Sequence, residues 1–110
     1  MVVTDFLEAL RLKHPIAFDG TSIDRGRALF DVNCSMCHGL DGQAQTEVAD
    51  RFEAVGAKRP ASLVSENVKG QPDGALYWTI TQGVGNMPAW QRLLTEEQRW
   101  VLINYIRSLD

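Results

Sequence analysis

Cys34-Ser35-Met36-Cys37-His38 holds both cysteines of the chain and one of its two histidines, and it limits the possible folds more than any other feature. Cys-x-x-Cys-His is the attachment sequence for a c-type haem. Each thiol adds to one porphyrin vinyl group to give a thioether, and the adjacent imidazole is then held beneath the iron. Two intervening residues let both sulfurs reach the vinyls on one edge, while the next residue projects at the metal. On this reading the haem fills the core. Other readings of the same letters fit less well. A structural zinc site wants four ligands, and the sequence holds no second Cys or His pair. A thioredoxin-like redox pair sits on a βαβ pattern, which this chain does not show.

A haem iron needs a second axial ligand, and the sequence narrows the choice. Met1 is terminal, and Met36 lies between the two thioether positions, tethered at the haem edge. That leaves Met87 in Gly83-Val84-Gly85-Asn86-Met87-Pro88-Ala89-Trp90. Glycines before it and a proline after it read as a loop, from which a thioether can be presented. The competing ligand, His14, stands in the polar turn Lys13-His14-Pro15 and reads as a solvated surface histidine. Ligation by His38 and Met87 is therefore expected. If Met87 were instead a gap-filler of the core, the sixth position would stay open. The chain would then suit a peroxidase-like enzyme or a gas sensor.

Over residues 21–110 the chain resembles the small single-haem class I cytochromes c. Gly26 and Phe30 precede the attachment motif at the family's Gly-x-x-x-aromatic spacing. Gly85-Asn86-Met87-Pro88 with Trp90 looks like the methionine-ligand loop, and Leu102 and Tyr105 fall where the family's last helix crosses its first. The resemblance implies an all-α cytochrome c fold, with three to five helices around one covalently bound haem c and crossed N- and C-terminal helices. It also departs from the pattern. The family often carries Gly-Pro soon after the haem motif, with the proline carbonyl accepting the proton of the ligating histidine. Arg59-Pro60 is the nearest match here, so that role passes to Pro60.

With six iron positions filled, such a haem moves single electrons and performs no bond chemistry. Thioether sulfur favours Fe(II), and an apolar shell from Phe30, Trp90 and the terminal helices raises the potential further. The expected function is an electron carrier, not an enzyme, working either freely or as a subunit or domain of a larger respiratory or dehydrogenase complex. Its partners would be a redox donor and acceptor. A net charge of −3 with scattered Lys and Arg argues against nucleic acid, which calls for a basic stripe. No run of 18 apolar residues is present, as a spanning helix would require, and the start shows no signal-peptide pattern. Haem attachment in the family takes place outside the cytoplasm. The expectation is thus a periplasmic or otherwise extracytoplasmic domain, in membrane contact only through an anchor beyond this sequence or a partner complex.

At 110 residues the chain makes one domain, in which a covalent cofactor helps stability. Residues 1–20 read as an appendage to a domain at 21–110. Asp5 to Leu12 suits about two helical turns with Phe6, Leu7 and Leu10 on one side, stopped by Pro15. A short helix folded back on the domain is expected, with a tether to a partner or anchor as the alternative. Thr21 or Ser22 caps the next helix, which runs to Asn33. Residues 48–55 suit a short helix ending at Gly56. Pro72-Asp73-Gly74 starts another, which stops at Gly83. Thr95 to Gln98 forms a capping box, ahead of an apolar stripe that includes Trp100 and Tyr105. Arg59, Tyr77 and Trp78 are the groups available to flank the haem or its propionates.

Overall fold

The computed structural model describes residues 5–110; residues 1–4, where the expected appendage begins, lie outside the described residues. Seven helices follow one another and no strand occurs among the described residues: α1 Phe6–Leu10, α2 Gly20–Asn33, α3 Ser35–His38, α4 Glu47–Ala54, α5 Glu66–Lys69, α6 Asp73–Gln82 and α7 Glu96–Ser108. Three of these, α1, α3 and α5, are single turns of four or five residues. They carry the count beyond the three to five helices expected.

Local chemistry sets the helix boundaries. Thr95 Oγ1 accepts from Gln98 N at 3.1 Å and Gln98 Oε1 accepts from Thr95 N at 2.8 Å, the reciprocal box expected for α7. Helix α6 follows Pro72 and stops at Gly83, whose φ of 75° lies in the region that favours glycine. The start of α2 differs from expectation. Its cap is Asp19, whose carboxylate accepts from Ser22 N at 2.9 Å, while Ser22 Oγ accepts from Asp19 N at 3.2 Å. Ser22 thus closes the box from inside the helix, and Thr21 is not the cap.

The most extensive pairing of elements is α2 against α7. Gly26 makes it possible. A Cβ there would stand 2.0 Å from the Val101 carbonyl oxygen and 2.8 Å from Tyr105 Cβ. One turn further along α2, Phe30 is fully buried and meets the Tyr105 ring at 5.1 Å. Helix α6 closes the core from another side, with Tyr77 stacked on Trp100 at 4.2 Å. Arg99 is buried beside them. Its guanidinium donates to the Gln91 and Leu94 carbonyls and to the Tyr77 hydroxyl, which offsets the desolvation of a buried charge.

The described part of the appendage folds back onto this core. Ala9 is fully buried, and its carbonyl oxygen would stand 1.8 Å from a Cβ on Gly74. Phe6 meets Trp78 edge-on at 6.5 Å. The inward residue of α1 is therefore Ala9, whereas Leu7, expected inward, is exposed; so close an approach to α6 admits only a small side chain. His14 is not the solvated histidine expected from its turn. Its Nδ1 accepts from Ile16 N–H at 3.1 Å, its Nε2–H donates to the Trp100 carbonyl at 3.1 Å, and its ring packs on Trp100 at 4.7 Å. Asn104 adds donations to the Ala17 carbonyl and to Ser22 Oγ.

Gly74→Ala should lift α1 from the domain without unfolding it, because α1 can yield while the α2–α7 crossing cannot. Overpacking of about 1–3 kcal/mol shifts such a local equilibrium roughly fivefold to 150-fold. Trypsin cleavage after the exposed Arg11 and Lys13 measures it, and parent-like cleavage would contradict this account of docking.

Candidate functional site

The Cys34–His38 segment is built as one helical turn. Cys37 N and His38 N both bond the Cys34 carbonyl, at 3.3 and 3.0 Å, so the two thiols and the imidazole leave a single turn in fixed order. Gly39 ends it with a φ of 82°. Beyond the turn, Ala44 N donates to the His38 carbonyl at 2.7 Å, and Thr46 Oγ1 donates to the Cys37 carbonyl at 3.1 Å while capping α4.

His38 Nδ1 donates to the Ala61 carbonyl oxygen at 2.9 Å. That bond fixes the tautomer and leaves Nε2 as a free lone pair, the arrangement a metal-ligating histidine needs. Burial lowers the imidazole pKa while the Ala61 bond raises it, and burial prevails, favouring the neutral ring that ligates. The acceptor is Ala61, not Pro60. A backbone carbonyl serves whatever the side chain, so the sequence position is free to slip by one residue.

Cys34 and Cys37 are not joined in a disulfide. Burial, and the neighbouring Cys37 second, push the Cys34 pKa up to about 12. The direction is opposite to the depressed pKa of a redox-active Cys-x-x-Cys pair. No group of three or more His, Cys, Asp or Glu residues able to hold a metal ion occurs among the described residues. The donor set fits a c-type haem: two thiols in one turn, an imidazole with Nε2 free and a thioether in a structured loop.

That loop is a tight turn. Met87 N donates to the Val84 carbonyl at 2.8 Å, and Val84 N to the Met87 carbonyl at 3.3 Å. Gly83 lets it double back on α6, since a Cβ there would stand 2.6 Å from the Met87 carbonyl oxygen. Trp90 N bonds the Ile80 carbonyl at 3.0 Å. Cys34, Leu63, Met87 and Trp90 all pack against the one core cluster that contains Phe30 and Tyr105. Two other expected residues have different partners. Trp78 meets Phe6 of α1, and Arg59 bonds Asp50, Glu53 and the Ala44 carbonyl. Ala44, Thr46, Ala61 and Arg99 were not singled out from the sequence. Only Arg99, a charge set beside the apolar stripe of α7, left a readable sign.

A helical fold with crossed terminal helices, closing around a Cys-x-x-Cys-His turn and a methionine loop, defines a class of haem-binding electron-transfer proteins. The family described as Cytochrome C oxidase, cbb3-type, subunit III matches residues 21–106, and the chain belongs to it. Members of this c-type cytochrome family bind haem c and carry electrons. Among its relatives, the Cbb3-type cytochrome c oxidase subunit CcoP of Azospirillum sp. (strain B510) is 32% identical over 97% of this chain and 34% of its own length. The CcoP subunit of Azospirillum brasilense is 32% identical over 83% of this chain and 30% of its own. The chain therefore spans about a third of the length of these curated relatives. A chain of the Kuenenia stuttgartiensis reducing HAO-like protein complex Kustc0457/Kustc0458 shares the fold, with a TM-score of 0.75 at 20% identity over 92% of this chain and 49% of that one.

Proposed function

We propose that the chain carries single electrons on one haem c, covalently held by Cys34 and Cys37 and ligated by His38 and Met87, within a larger respiratory oxidase assembly. The observation that carries this reading is the His38 Nδ1–Ala61 bond within a Cys-x-x-Cys-His turn, which leaves Nε2 free to ligate. Once bound, the haem supplies a one-electron iron couple. Cys34 and Cys37 would hold its edge, and His38 Nε2 and the Met87 thioether would ligate its iron. Phe30 and Trp90 would shield it from water, which would disfavour the more highly charged ferric state. We assign the haem-binding unit to residues 21–110 and residues 1–20 to an extension docked on it. An extracytoplasmic location follows from where such haems are attached. No helix among the described residues is long and apolar enough to cross a membrane, so membrane association would come through other parts of the assembly.

Mass measurement of the denatured protein tests the attachment. The mass expected is chain plus one haem, and Cys34→Ala with Cys37→Ala should give haem-free chain and little folded product. A parent that releases its haem on denaturation would overturn the thioether assignment.

The docking face is expected to be apolar. Met36 and Leu40 beside the attachment turn are 73% and 68% exposed, and Val84 in the methionine loop is 59% exposed. No ring of lysines surrounds this stretch of the sequence, so long-range steering is weak. Electron-transfer rates with the oxidase partner should then change less than about threefold between low and high salt, because screening acts on exposed charges and not on apolar contact. A steep fall with salt would sink this docking mode.

A further inference from the structure

Ala44 is the non-glycine residue with positive φ among the described residues, at 59°, and it is buried. Side chains avoid this left-handed region, and residues held there are over-determined by their surroundings. Both of Ala44's peptide groups are engaged. Its N–H donates to the His38 carbonyl at 2.7 Å, and its carbonyl accepts from Arg59 Nη2 at 2.7 Å. The other terminal nitrogen of Arg59, Nη1, donates to Asp50 at 2.8 Å and reaches Glu53 at 3.4 Å. Two residues after Arg59 comes Ala61, whose carbonyl holds His38 Nδ1 at 2.9 Å. The contacts form a closed circuit: His38 backbone, Ala44, the Arg59 guanidinium, the 59–61 backbone, and the His38 ring.

We infer that Arg59 is a positioning residue for the axial histidine, pinning the Ala61 carbonyl in register with His38 Nδ1 through the Ala44 peptide. The inference deepens the site proposed above and rests on His38 being an iron ligand there. It gives Arg59 a role besides the propionate contact expected on the sequence, because its terminal nitrogens bond the Ala44 carbonyl, Asp50 and Glu53. The carboxylate pairs lie at the surface, where ion pairs hold little. The Ala44 bond is partly buried and carries the clamp. Only a guanidinium spans both ends, since a lysine ammonium is a single point charge without the planar fork. The left-handed backbone at Ala44 turns its N–H toward His38 and its carbonyl toward Arg59.

The test uses the haem-loaded protein as Arg59→Gln and as the charge-conserving Arg59→Lys. Paramagnetic NMR of the ferric form reads solvent exchange of the His38 Nδ1 proton and of the Ala44 amide. Both protons should exchange about tenfold faster or more in Arg59→Gln, the order of effect that one charge-assisted hydrogen bond commands. Arg59→Lys should move the same way, and it decides the matter if the glutamine variant does not accumulate. Parent-like exchange at His38 Nδ1 overturns the inference, even if the Ala44 amide alone speeds up. So does a variant whose only change is in the pH dependence of its reduction potential, which would return Arg59 to a propionate. A parent in which the His38 proton carries no paramagnetic shift strikes the ligand assignment itself, and the clamp with it.

Discussion

Gly26→Ala should lower the stability of the haem-loaded protein by roughly 3 kcal/mol, seen as a fall of about 12–20 °C in Tm. The sign carries the argument. In an exposed helix the same change stabilises by about 1 kcal/mol, because alanine is the better helix former. At this position the added methyl would lie 2.0 Å from the Val101 carbonyl oxygen and 2.8 Å from Tyr105 Cβ, so α2 and α7 must separate or twist. Separation loosens Phe30 against Tyr105 as well, and with it part of the haem's apolar wall. Against a typical total of about 5–15 kcal/mol that loss is large, and Gly26→Val should leave little folded protein. A Tm equal to or above the parent's would show that the crossing does not need glycine.

Met87→Ala should keep the haem attached and lower its reduction potential on the order of 100 mV or more, a modest part of the roughly 0.8 V that axial ligands command. Attachment survives because Cys34 and Cys37 lie on a different segment. The potential falls because a soft thioether favours Fe(II) and because water gains access to the emptied side. Met87 is half-buried against the core, so the truncation also removes packing worth about 2 kcal/mol, the low end of the range for a core methionine. The ferric variant should bind small anions that the parent excludes. Potentiometry and anion titration read both effects. A variant with the parent's potential would exclude Met87 as a ligand.

Features set by side-chain chemistry were legible in the sequence. The Thr95 box, the start of α6 after Pro72, its end at Gly83 and the glycine at the α2–α7 crossing each depend on one residue type at one position. The attachment turn was legible for the same reason. What escaped depends on backbone groups. Any residue can offer the carbonyl that holds His38, so the role passed from Pro60 to Ala61 without a trace in composition. The left-handed turn at Ala44 is set by the bonds at both its ends, not by alanine's own preference. Asp19 displaced Thr21 and Ser22 as the cap of α2 because an Asp-x-x-Ser box reads equally well from its first residue. His14 looked solvated because Lys13 and Pro15 flank it, while its ring packs on Trp100 and donates to that residue's carbonyl, 86 positions away in sequence.

The electronic spectrum of the ferric parent tests the central claim most directly, since it reports both axial ligands at once. The account predicts a low-spin, six-coordinate iron with the weak thioether–iron band near the red end of the spectrum, unchanged by added peroxide or small anions. A high-spin spectrum without that band would mean that the sixth position is open, and the chain would then be a catalytic or sensing haem protein rather than an electron carrier.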